Sequence, residues 1–563
     1  MNLKAQLILG YNEVFRVDPP EDRLAFIKRF SKKHIIGEFA GINYWIKPMK
    51  SLGFDKSLSF QRRTLAYFTA IHKQLALFYI TRFESFVSGD STYPIIFNRA
   101  CLLFALEEIL NCTEMIDRDD FVMAKPEVWD NLLRYILAVN SEITKLRIPE
   151  DEPLTFEKLN ANMLVLNEFD VAVDQFLTPY RGLQLLSFLN FNPKYALYLK
   201  EYFEEKVKCD PENFIYQIIG AYISRKNENP ELEFVIYIEN EVNIFEYLSN
   251  QKILSKEPLK VLTLKKAPFY KNIDQNGRLR YVVLDFTFLL EKSYNFLIND
   301  FWFDFLKNEK GLNHYDEYRG ELGLFFQNYV KFWLKRIVGY DKSCFIKLFL
   351  ELTIQKAGGD FEFCDVYIRR NHEIIIGEVK FSALYDKEKY SENLIGFYKN
   401  DRERFYSDFG VNQVVESLKN LQQYLMQVDP EAQAVEQYTI YPVLIVNENS
   451  FQTPLAAQIF NDRFQELIGS LNIGMFNIMP LTLVHISDLE RIEPYVDVAN
   501  ADLIWELFKY HVSNQKLIMP FYQTLNQKLK GRKYPKVLLE EISRLSLKFN
   551  PEQIDPRSRL SQG

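Results

Sequence analysis

From about Ser59 to Ser224 the apolar positions recur at spacings of three and four, the period of an amphipathic helix. The stretch FQRRTLAYFTAIHKQLALFYITRFESF keeps that period over several turns, and its aromatic stripes read as core. Caps and breaks recur at Asp117-Arg118-Asp119-Asp120 and at Pro126, Pro149, Pro153, Pro179, Pro193 and Pro211, leaving helix-sized pieces between them. No fixed repeat length emerges, so a solenoid is not predicted. Ahead of this region, LKAQLILGY and HIIGEFAGINYWI read as short strands around a helix near Asp22–Lys33.

The pattern changes after the polar loop Arg225–Glu231. Glu233–Ile238, Pro258–Leu264 and Leu279–Phe286 alternate or run apolar and predict strands, and Phe286–Leu306 predicts a helix. A longer helix opens at Tyr318 and runs to about Val338, with Leu322, Phe325, Phe326, Tyr329, Val330, Trp333, Leu334 and Ile337 on its apolar side. Cys344–Ile354 predicts a strand. Phe361–Arg370 and Glu373–Lys380 predict a hairpin closed by Asn371-His372. Then come a polar stretch, Phe381–Phe409, an amphipathic helix, Val411–Val428, and an apolar strand, Tyr438–Val446. Pro442 is unusual in such a strand, because proline cannot donate to a ladder. Ile459–Leu471 predicts a helix, Phe476–His485 a strand, and the chain from Ser487 to about residue 550 is mostly helical.

These elements predict an α+β or α/β multidomain protein: a mainly helical region over 1–230, a β-containing segment over 231–310, a mixed-sheet domain over 311–500 and a helical tail over 501–563. The 563 residues carry 68 Lys+Arg against 75 Asp+Glu, a net charge of −7, so any nucleic-acid contact must come from local patches. The best such patch is Lys265, Lys266, Lys271, Arg278 and Arg280; a solvated hairpin is the competing reading. Five scattered cysteines with no CxxC disfavour a zinc site or a disulfide framework and favour a reducing compartment. Neither a signal peptide nor an apolar run of transmembrane length is found, so the expected location is cytoplasmic, away from membranes. No phosphate-binding loop, dinucleotide fingerprint or HExxH pattern occurs.

Chemistry concentrates in Asp360–Lys380, DFEFCDVYIRRNHEIIIGEVK. Alternate strand residues share a face, so Glu378 and Lys380 point together. A two-residue loop sets Asp365 directly opposite Glu378; a four-residue loop, Arg369–His372, sets it opposite Ile376 with Glu378 on the diagonal. Either register gathers two carboxylates and an ammonium on one patch, a donor set suited to Mg²⁺. Asp365 … Glu378-Val379-Lys380 resembles the PD-(D/E)xK nuclease superfamily, with Cys364 where that superfamily often has proline. The helix carrying Gly323, Phe326, Gln327, Tyr329 and Val330 resembles the first helix of that core, with Gln327 where a glutamate is common. The resemblance covers roughly residues 315–500. It implies a restriction-endonuclease-like sheet, Mg²⁺ or Mn²⁺ held by Asp365 and Glu378, and water activation by Lys380. It further implies that Gln413 faces the site, and that Gln327 orients water or ligates weakly. The implied activity is metal-dependent endonucleolytic hydrolysis of DNA, with RNA left open, in restriction or antiphage defence. The region before it would serve recognition, a protein partner or self-association. The competing reading is a non-catalytic interaction protein, or a subunit of a larger defence complex, that keeps the nuclease fold.

Overall fold

The structure is a computed structural model and describes residues 5–48, 53–70, 72–88, 92–118, 120–145, 155, 166, 168–223, 233–238, 242–249, 261–274, 276–349, 352–356, 359–382, 406–432, 437–471, 476–513 and 517–549. The chain forms two compact units, Met1–Leu146 with Ala172–Leu312 and Ser543–Gly563, and Arg147–Val171 with Asn313–Ile542. The loop Arg225–Glu231, most of Phe381–Phe409 and the last residues of the chain lie outside the described residues.

The first unit is mainly helical. Two short parallel strands, β1 (Ala5–Ile8) and β2 (Thr92–Ile95), are pinned by Asn140, whose amide donates to Leu9 O and Ile96 O at 2.9 Å each. HIIGEFAGINYWI is not a strand: it lies in a helix, α1 (Lys32–Trp45), which buries Ile35, Ile36, Phe39, Ala40 and Ile42. Its glycines mislead, because Gly41 marks a close contact rather than a turn; a Cβ there would stand 3.2 Å from the Phe234 ring. A second small sheet has the order β3 (Val235–Tyr237), β5 (Leu279–Val283), β4 (Phe269–Ile273), all antiparallel. Leu262–Lys266 is a helical turn rather than part of a strand, and Phe269–Ile273 takes the pairing instead. Nor do residues 231–310 stand apart from the helices: Arg99, which opens the helix α2 (Arg99–Asn111), forms a buried two-point ion pair with Asp285 at 2.8 Å. Breaking one partner of such a pair leaves an uncompensated buried charge.

The second unit is built on a mixed sheet. It opens with the helix α3 (Tyr315–Val338) and the strands β6 (Phe345–Leu348), β7 (Thr353–Lys356), β8 (Gly359–Glu362), β9 (Val366–Arg370) and β10 (Glu373–Lys380). There follow α4 (Val411–Val428), β11 (Tyr438–Val446), α5 (Pro454–Ile468), β12 (Phe476–Ile478), β13 (Thr482–His485), α6 (Ile486–Ile492) and α7 (Leu503–Ser513). Strand β6, β9 and β10 run antiparallel in turn, β11 lies parallel to β10, and β12 and β13 succeed one another along the far side of β11. Phe476–His485 is therefore two strands. Their junction explains Pro442: its backbone faces the same side as Ile440 O, which accepts from Met479 N, and sits between the residues paired with β12 and those paired with β13. Its missing donor breaks no ladder bond.

Two further expectations are refined. Cys344–Ile354 divides into β6 and β7 at Phe349, a bulky residue held at φ +56°. The first hairpin strand divides likewise, with β8 pairing β7 as a separate hairpin and β9 joining the main sheet. One sheet face packs α4 and α5 in a core that includes Ile374, Ile376, Ile440, Leu444, Leu418, Leu421 and Phe460. On the other face, Tyr441 meets Trp505 and Phe508 of α7. The central strands approach closely at Gly377, where a Cβ would fall 2.3 Å from both Val443 O and Val443 Cγ2. Gly377→Ala is accordingly expected to cost about 3 kcal/mol or more in a denaturant melt.

Candidate active site

The turn at Asn371-His372 has two residues, with Asn371 at φ +52°, and Arg370 pairs with Glu373. Val366 pairs with Gly377, so the next step outward sets Asp365 opposite Glu378. The four-residue-loop register does not occur. Asp365 sits in the break between β8 and β9, where its backbone is held on both sides: its N–H donates to Gly377 O at 3.1 Å, and its carbonyl accepts from Phe349 N at 2.8 Å. The strained Phe349 backbone thus aims a donor at the residue that needs fixing. The Asp365 carboxylate also accepts from Val379 N at 2.7 Å.

Glu378 and Lys380 follow on β10, on the face toward α4. Lys380 Nζ lies 3.3 Å from Glu378 Oε2, and the hydroxyl of Ser417, on α4, lies 3.1 Å from Glu378 Oε1. The carboxyls of Glu378 and of Glu362, the latter at the end of β8, both act electrostatically on that of Asp365. Both Asp365 and Glu378 are buried; Glu362 is exposed at the rim. Burial first, and then the Glu378 charge, push the Asp365 carboxyl up to about 7. Burial also raises Glu378, against the pull of Lys380, and raises Glu362 with help from Asp365. Three ionised carboxylates against one ammonium would leave two uncompensated negative charges, which drives the carboxyls toward their protonated forms.

Among the described residues no set of three His, Cys, Asp or Glu side chains is already arranged as a metal cage. Mg²⁺ does not require one, since it takes one or two carboxylates and keeps several waters. The all-oxygen pair Asp365 and Glu378 fits that demand.

The other predicted residues fall elsewhere. Gln413 lies on α4 one turn before Ser417 and is exposed; it is Ser417 whose side chain reaches the Glu378 carboxylate. Gln327 is half-buried on α3, and no hydrogen bond joins it to Asp365, Glu378 or Lys380 among the described residues. The ring of its neighbour Phe326 meets Phe381, one residue past Lys380. The basic patch is largely neutralised. Lys266 pairs with Asp300 and Asp304, Lys271 with Glu246 at 2.7 Å, and Arg278 with Asp274 at 2.8 Å. Arg280 donates to Asn272, and Lys265 is buried near the Phe296 ring. Its acidic partners lie up to 38 residues away in sequence, which is why the patch reads as free from the sequence alone.

Glu362, Ser417 and Gly410 were missed. Gly410 precedes α4 at φ +88°, and a Cβ there would come 2.8 Å from Lys380 Cε. Glu362 lies only three residues before Asp365, a proximity that could have suggested it. No helix among the described residues is long and apolar enough to cross a membrane. No family model, no curated protein and no solved structure matches the chain.

Proposed function

We propose that the chain is a divalent-metal-dependent nuclease that hydrolyses phosphodiester bonds in DNA. The observation that carries this reading is the pairing of Asp365 with Glu378 across the β9–β10 hairpin, with Lys380 two residues further on the same face. The helix–strand order and the mixed sheet are compatible with the superfamily that the Asp … Glu-x-Lys pattern resembles. Asp365 and Glu378 would hold Mg²⁺ or Mn²⁺. Bound there, the ion would lower the pKa of a coordinated water and offset charge on the reacting phosphate. Lys380, its stem lying against Gly410, presents its ammonium beside the carboxylates, where it can orient the attacking water and donate to a phosphoryl oxygen as charge builds. A setting in restriction or antiphage defence follows from the resemblance.

A second reading, a non-catalytic interaction protein on the same fold, draws on Gln327 at the position where a glutamate is common and on the ion pairing of the basic patch. Divalent-ion binding separates the two. The nuclease reading expects Mn²⁺ to raise the melting temperature of the wild type and to leave Asp365→Ala unmoved. An equal response in both proteins, or none in either, would favour the interaction protein.

A further inference from the structure

We propose that Ser417 is a positioning residue for Glu378: its hydroxyl ties down Oε1 so that Oε2 stays turned toward Lys380 and the cation. This rests on the nuclease reading of the site. Ser417 is buried, and its oxygen lies 3.1 Å from Glu378 Oε1, 2.8 Å from Gln413 O and 3.2 Å from Phe363 O. A hydroxyl carries a single proton and cannot donate to all three acceptors. The charged acceptor forms the stronger hydrogen bond, so an ionised Glu378 draws that proton. Gln413 O also belongs to the ordinary helical ladder and does not depend on the hydroxyl.

The helix bearing Ser417 is fixed at both ends. Gly410 begins it against the Lys380 stem. At its far end Asp429 accepts from Tyr367 Oη at 3.0 Å and from Arg369 of β9. Helix α4 therefore holds Ser417 in a constant position relative to the hairpin that carries Asp365 and Glu378. A glutamate side chain has several rotatable bonds, and one hydrogen bond at Oε1 removes much of that freedom at the oxygen pair. Partners of this kind, behind a ligand, typically change metal affinity by about 10- to 100-fold.

The test is Mn²⁺ binding, measured by electron paramagnetic resonance on the full chain, for wild type, Ser417→Ala, Ser417→Thr and Asp365→Ala. Melting in EDTA reports folding in parallel. The expected result is about tenfold weaker Mn²⁺ binding in Ser417→Ala, recovery to within about threefold of wild type in Ser417→Thr, and loss in Asp365→Ala. The rescue matters because threonine keeps the hydroxyl, whereas a role confined to packing would not track it. If Ser417→Ala binds Mn²⁺ like wild type while Asp365→Ala does not, the positioning role is overturned and the cation site stands. If the wild type binds no Mn²⁺, the nuclease reading falls and the positioning role with it.

Discussion

Replacing Asp365 with asparagine is expected to stabilise the metal-free protein above pH 7 while abolishing divalent-cation binding. In the folded state the Asp365 carboxyl is pushed up to about 7, by burial and by Glu378, against an ordinary value near 4 when unfolded. The sign follows from which state keeps the proton. Below about pH 4 both states are protonated and the group contributes no pH dependence. Between about pH 4 and 7 the unfolded chain releases the proton while the folded chain retains it, so stability falls as pH rises. Above about 7 the folded protein carries the full cost of an ionised carboxylate beside Glu378. Asparagine has the same shape and bears no charge, and its amide N–H₂ can donate to the neighbouring Glu378 carboxylate where the protonated acid would offer its single proton. The gain for Asp365→Asn over wild type should be near zero at pH 4 and reach on the order of a few kcal/mol by pH 8. Urea melts in EDTA across that range measure it directly. In the wild type a cation must displace the retained proton, so its affinity should rise through pH 7. A stability difference that does not change with pH would mean that Asp365 is ionised throughout and that the proton-sharing cluster is wrongly described.

Lys380→Ala is expected to behave in the opposite manner. Lys380 offsets charge on Glu378 from 3.3 Å, so its loss leaves two buried carboxylates without their ammonium. Cation binding should persist, because the oxygen donors remain. Cleavage should fall by about 100- to 1,000-fold, the usual cost of removing one group that meets developing charge. Persistent binding with lost turnover would assign Lys380 to the reaction, whereas loss of both would make it only a structural counter-ion.

Legibility from sequence followed the range of the interactions. The β9–β10 hairpin was readable from local features, the polar Asn371-His372 pair, the apolar run Ile374-Ile375-Ile376 and side-chain alternation, but these left two registers open, and the structure selects the two-residue loop. Helix Val411–Val428 and strand Tyr438–Val446 were readable for the same reason, their patterns being strong over many residues. Breaks within strands were not. Phe349 adopts a backbone conformation that its side chain disfavours, and nothing in CFIKLFLELTI announces it. The role of Ser417 depends on how its helix docks, which period does not reveal, and the resemblance pointed instead to Gln413, which is exposed. The ion pairing of the basic patch was hidden by distance: Lys266 and Lys271 take their partners from Asp300, Asp304 and Glu246, which no local pattern connects to them.

The most direct test of the central claim is cleavage of plasmid, linear duplex and single-stranded DNA, and of RNA, in Mg²⁺ or Mn²⁺, with wild type beside Asp365→Ala and Lys380→Ala. The account predicts metal-dependent cutting of at least one DNA substrate by the wild type, abolished by Asp365→Ala and reduced about 100-fold or more by Lys380→Ala. Cutting that survives in both variants, or a wild type that cuts nothing although it binds Mn²⁺ at Asp365, would contradict it.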